Sequence, residues 1–124
     1  MKTKTDVILA IRKYGLDAPV DSDICLNFGE ANGCGAKGGW PIFHTMYLLD
    51  IEVACYLHDI AWAVAETKED VYRANKAFEQ NLYKIIDANS NRLMNFLRRR
   101  RALKYYIAVK YMGTQSYLEE RGMV

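Results

Sequence analysis

A chain of 124 residues and 14.3 kDa, 51% apolar and 26% charged, is one domain's worth of sequence with enough apolar content for a core and too much for disorder. No apolar run approaches the roughly 18 residues that a membrane-crossing helix needs. The net charge of +2 conceals a division: residues 1–87 hold nine Lys/Arg and thirteen Asp/Glu, whereas residues 88–118 hold seven Lys/Arg and no acid.

In chain order, the opening MKTKTDVILAIRKYG is interrupted by Arg12 and Lys13 and is expected to be the first helix rather than a signal peptide. That helix runs to about residue 14 and closes at Gly15, with Pro19 blocking continuation. From Gly15 to Trp40 the pattern reads as loop, holding 21-DSD-23 and 32-NGCGAKGG-39. Five of the eight glycines fall between residues 29 and 39, and such backbone can turn its carbonyls or amides toward a ligand. A long helix is predicted over about 43–65. After Glu52 it is apolar nearly all round except for His58 and Asp59, the pattern of a central core helix. The segment 66-ETKED-70 makes a turn and a new helix start. The helix over about 69–88 is amphipathic, with Val71, Ala74, Phe78, Leu82, Ile85 and Ile86 at three- and four-residue steps. A last helix, about 91–113, carries Leu93, Phe96, Leu97, Leu103, Ile107 and Tyr111 on one side and 98-RRRR-101 along the rest, with Gly113 ending it. No alternating run is long enough to read as a strand, although the loop region has room for a small β-hairpin. The expected class is all-α, in a single domain spanning residues 1–124.

Three cysteines, Cys25, Cys34 and Cys55, permit one disulfide with a thiol left over, or none, and lack metal-finger spacing. The basic segment suits an anionic lipid surface or nucleic acid, with a solvated helix face as the plain alternative.

The stretch 55-CYLHDIAW-62 carries the chemistry. A lone helical histidine is most often a satisfied core or surface residue. Two adjacent ionisable groups on an apolar helix are harder to dismiss, because a buried carboxylate without a partner costs several kcal/mol. Neighbouring helical positions point about 100° apart, so His58 and Asp59 must serve different neighbours. Asp59 needs a cation or donors, and the upstream glycine loop offers carbonyls that suit a hard cation such as calcium. His58 needs an acceptor. With the turn centred near residue 67, the antiparallel partner helix presents Asn75 opposite it, and Phe78 shares that face.

The pattern Gly-Cys-Gly…Gly-Gly followed by Cys-x-x-His-Asp resembles the calcium-dependent phospholipase A2 superfamily, in particular its short bacterial, fungal and viral-type members. Residues 33-GCG-35 and 38-GG-39 resemble its calcium loop, and 54-ACYLHDIAW-62 its active-site helix. The stretch 74-ANKAF-78 resembles a segment in which those members place an aspartate three residues before a phenylalanine. The resemblance covers about residues 30–85. It implies two long antiparallel helices bearing the His-Asp site, preceded by a glycine-rich calcium loop and flanked by an N-terminal helix and a basic C-terminal helix. It further implies that His58 is the general base, taking a proton from the water that attacks the sn-2 ester of a glycerophospholipid. Asp59 would bind Ca²⁺ with backbone carbonyls of Gly33, Gly35 and Gly38, and the metal would stabilise the oxyanion. The loop is one residue longer than the usual Gly-x-Gly-Gly form, so Lys37 is an alternative third carbonyl. A Cys34–Cys55 bridge with Cys25 unpaired is implied as well, as is a secreted or virion-associated setting in preference to a cytoplasmic one.

Two positions depart from the family pattern. Asn75 stands where the family has an aspartate that accepts from the catalytic imidazole, and Trp62 stands where it often has a tyrosine. An amide oxygen still accepts a hydrogen bond, but the charge that stabilises an imidazolium is gone. In a serine-protease triad the same exchange costs about 10⁴ in kcat. Glu79, one turn on, is a conceivable substitute. Two readings follow: a working phospholipase A2, or a weakened phospholipase A2-like protein that binds calcium and membranes. Arg98, Arg99, Arg100, Arg101 and Lys104, interleaved with aromatics, would form the face toward an anionic phospholipid membrane. Nucleic acid is not expected as a partner, since that leaves the His-Asp pair unexplained.

Overall fold

The computed structural model describes residues 3–30 and 45–123. The described chain is α-helical apart from one two-stranded hairpin, matching the expected all-α class.

Helix α1 (Lys4–Tyr14) begins in a capping box between Thr3 and Asp6 and ends at Gly15, whose φ of 63° is the left-handed conformation glycine adopts without cost. The predicted loop beyond it is partly helical: α2 (Asp21–Asn27) and a 3₁₀ turn (Phe28–Glu30) follow. Two acids in its first turn suit the helix dipole, and Ile24 is fully buried. A two-bond clasp holds the α1–α2 connection: the Asp17 N–H donates to Asn81 Oδ1 (2.8 Å), and Asn81 Nδ2 donates to the Asp17 carbonyl (2.8 Å).

The helix expected from residue 43 starts later. Strands β1 (Thr45–Met46) and β2 (Leu49–Asp50) pair antiparallel around Tyr47 and Leu48, which have φ of 47° and 68°. Positive φ at both central positions gives the turn whose twist matches a hairpin, and it occupies residues that periodicity assigns to a helix. Helix α3 (Glu52–Val64) then begins with Asp50 Oδ1 accepting from the Glu52 N–H (2.9 Å). Its residues Val53 through His58 and Ile60 are buried.

Helix α4 (Lys68–Asn89) opens with a second capping box, Thr67 with Asp70, and buries the predicted stripe together with Asn75, Glu79 and Asn81. Helix α5 (Arg92–Ala108) presents a different face from the one its apolar side suggests. Arg98, Ala102 and Tyr105 are buried, while Leu93 (66%), Phe96 (58%), Leu103 and Ile107 are exposed. Gly113 does not end this helix. A π-helical turn (Val109–Gly113) carries the chain into α6 (Thr114–Glu120), and Gly113 keeps helical angles of −89° and −37°. The main core gathers Val7, Ile24, Ile60, Phe78, Leu82 and Ile86, and a smaller cluster packs Leu118 against Ala65 and Val71.

Candidate functional site

Helices α3 and α4 are joined by a connection of three residues, so they run antiparallel and facing turns meet. His58, on the middle of α3, lies among core side chains and is 7% exposed. Its ring contacts those of Trp62 (centroids 4.3 Å apart) and Phe78 (5.0 Å). Nε2 of His58 lies 2.8 Å from Asn75 Oδ1 in a buried hydrogen bond. Sequence spacing thus identified the partner helix and the facing residue.

Around Asn75 the polar groups are satisfied on every side. Trp62 Nε1 donates to the same Oδ1 at 3.0 Å. Asn75 Nδ2 donates to Thr114 Oγ1 at 2.7 Å, and the Thr114 hydroxyl donates to the Val109 carbonyl at 2.7 Å. Thr114 reaches Asn75 because the π-helical turn inserts an extra residue and re-aims the chain that follows it. Sequence reading missed Thr114. Its only signal is a four-residue spacing to Leu118, both positions being buried, beyond a glycine that reads as a helix stop.

The C-terminal segment also fastens Trp62. The indole stacks on Tyr117 (4.4 Å, 25° between planes), and the Tyr117 hydroxyl donates to the Trp62 carbonyl. Arg121 donates to the carbonyls of Ala65 (2.8 Å) and Trp62 (3.1 Å). The C-terminal helix is therefore part of the site's wall.

Burial dominates the electrostatics. It pushes the His58 pKa down from 6.5 to about 4, partly offset by the hydrogen bond to Asn75. The ring is therefore neutral near pH 7. Glu79 does not substitute for the missing carboxylate. It is buried, accepting from Lys76 Nζ (2.7 Å) and the Tyr83 hydroxyl (3.1 Å).

Asp59 is half-buried on α3. It is the one expected calcium ligand within the described residues, and its oxygen chemistry suits that ion. Gly33, Gly35 and Gly38 lie outside the described residues, as does Lys37. Among the described residues no group of three or more His, Cys, Asp or Glu forms a metal-binding cluster. Cys55 is disulfide-bonded and Cys25 is a free, exposed thiol; Cys34, the expected partner of Cys55, lies outside the described residues.

The arginine run divides. Arg98 is not a surface cation: it is buried and ties the hairpin down, donating to the carbonyls of Met46 (3.3 Å) and Tyr47 (2.6 Å) and also to Asn89 O and Ser90 Oγ. Arg99 is neutralised by a paired contact to Asp87 at 2.6 and 3.0 Å. Arg100, Arg101 and Lys104 are exposed, with Arg100 near the Phe96 ring and Arg101 near that of Tyr47. Comparison with known protein families, curated proteins and solved structures finds no match for this chain.

Proposed function

We propose that this protein is a calcium-dependent phospholipase A2, hydrolysing the sn-2 ester of glycerophospholipids. The observation that carries the reading is a buried His58 hydrogen-bonded to Asn75, adjacent in sequence to the carboxylate of Asp59. In this mechanism Asn75 and the flanking Trp62 and Phe78 rings hold the imidazole still. His58 accepts a proton from the attacking water and returns it to the leaving alcohol. Bound calcium would supply positive charge for the ester carbonyl and its oxyanion, held by Asp59 and the carbonyls of Gly33, Gly35 and Gly38.

The partner surface we propose is an anionic phospholipid membrane, met by the outer face of α5. Its support is charge and shape together. Leu93, Phe96, Leu103, Ile107 and Tyr111 are exposed on the helix and its π-helical extension, beside Arg100, Arg101 and Lys104. Apolar groups for the acyl boundary and cations for headgroups are what an interfacial helix needs. The disulfide at Cys55 favours an oxidising setting, hence a secreted or virion-borne protein.

A second reading has its own observation. Asn75 gives His58 a hydrogen bond but no negative charge, so a form that binds calcium and membranes and hydrolyses little is the alternative. The two are separated by incubation with mixed phospholipid vesicles and calcium. Fatty acid and lysophospholipid are expected, and both should vanish with a chelator and in His58→Ala. Membrane binding without products would favour the second reading.

A further inference from the structure

We propose that Trp62 and Thr114 are positioning residues that lock the side-chain amide of Asn75, and through it hold neutral His58 as its Nε2–H tautomer with Nδ1 unprotonated. A carboxylate offers an acceptor whichever way it is turned. An amide does not: turned over, it presents N–H₂ where the oxygen stood, and only its neighbours can tell the two orientations apart.

Here two neighbours do so. An indole N–H donates and never accepts, so the Asn75 atom 3.0 Å from Trp62 Nε1 must be the oxygen. That same oxygen lies 2.8 Å from His58 Nε2, so Nε2 must carry the proton. A neutral imidazole has one proton, and Nδ1 is left with its lone pair. On the far side, the Thr114 hydroxyl directs its proton to the Val109 carbonyl, leaving its oxygen to accept from Asn75 Nδ2. The orientation is thus fixed from both ends of the amide. Trp62 and Asn75 are then not two unrelated departures from a phospholipase A2 pattern. The donor-only side chain at 62 supplies the bias that an aspartate at 75 would not need.

The use of Nδ1 as a base rests on the function proposed above, but the tautomer does not, and it is read without lipid. The chain has two histidines, so ¹⁵N-labelled protein carrying His44→Gln reports His58 alone in long-range ¹H–¹⁵N spectra near neutral pH. The Nε2–H form should exceed Nδ1–H by about tenfold or more, the bias of a net hydrogen bond. In Trp62→Phe the excess should fall to about threefold or less. Adding Asn75→Asp to Trp62→Phe should restore it, because a carboxylate accepts in either orientation. A predominant Nδ1–H form with Trp62 intact overturns the proposal, and that spectrum needs no variant at Trp62 to fold. An unchanged excess in folded Trp62→Phe overturns the role given to Trp62. Failure to hydrolyse phospholipid would overturn the function and leave these results standing.

Discussion

Burial sets the behaviour of His58, since the ring lies in the core and its folded pKa is about 4 against an ordinary 6.5. A histidine kept neutral by the fold binds its proton more readily once unfolded, so the linked stability is fully present above about pH 6.5 and is lost as pH falls toward 4. Denaturant titrations across that window should show a loss on the order of 3 kcal/mol, and His58→Gln should remove the slope. Asp70 and Asp87, both held below the usual carboxylate range by their hydrogen-bond partners, titrate below this window. Asn75→Asp should raise the His58 pKa by about a unit or more, because a carboxylate at 2.8 Å favours the imidazolium; an NMR titration of the ring reads it directly. The residue pairing itself was legible in the sequence. Seventeen residues separate His58 from Asn75, and a short turn between two helices places such positions opposite each other. Thr114 was not legible, because its approach depends on a π-helical turn that no local pattern announces.

Helix α5 shows how a correct element can be read with the wrong face inward. Its large apolar residues suggest a core stripe, yet the inward positions are Arg98, Ala102 and Tyr105. Arg98 satisfies two hairpin carbonyls and the end of α4, and the small Ala102 permits close packing against its neighbours. Arg98→Ala should therefore cost about 2–3 kcal/mol by removing the donors to the Met46, Tyr47 and Asn89 carbonyls, measured by thermal or denaturant unfolding. Arg99→Ala, losing an exposed ion pair, should cost less than about 1 kcal/mol. The outward stripe makes a separate prediction. Neutralising Arg100, Arg101 and Lys104 together should weaken sedimentation with anionic vesicles and flatten its salt dependence, with helicity unchanged. Binding indifferent to anionic lipid would contradict the membrane face. The hairpin lies where periodicity predicts helix for a related reason: 45-TMYLLD-50 has no glycine to mark the turn that Tyr47 and Leu48 make.

Across the whole molecule, the all-α class followed from helical periodicity, and the capping boxes at Thr3 and Thr67 lie where the sequence places helix starts. What periodicity could not supply is how distant segments close on the centre. The Asp17–Asn81 clasp ties the α1–α2 connection to α4, and Arg121 with Tyr117 draws the C-terminal helix onto the end of α3. Both are long-range polar contacts, and neither has a local signature. On the C-terminal side, Thr114 reaches the residue that bonds His58, through its contact with Asn75. The central claim is that this buried histidine performs ester hydrolysis beside a calcium site. The most direct measurement uses vesicles of a phospholipid with different acyl chains at sn-1 and sn-2, identifying the acid released. Release of the sn-2 acid that requires calcium and disappears in His58→Ala is the predicted result. No acid from the native chain or from Asn75→Asp, or release that His58→Ala retains, would contradict it.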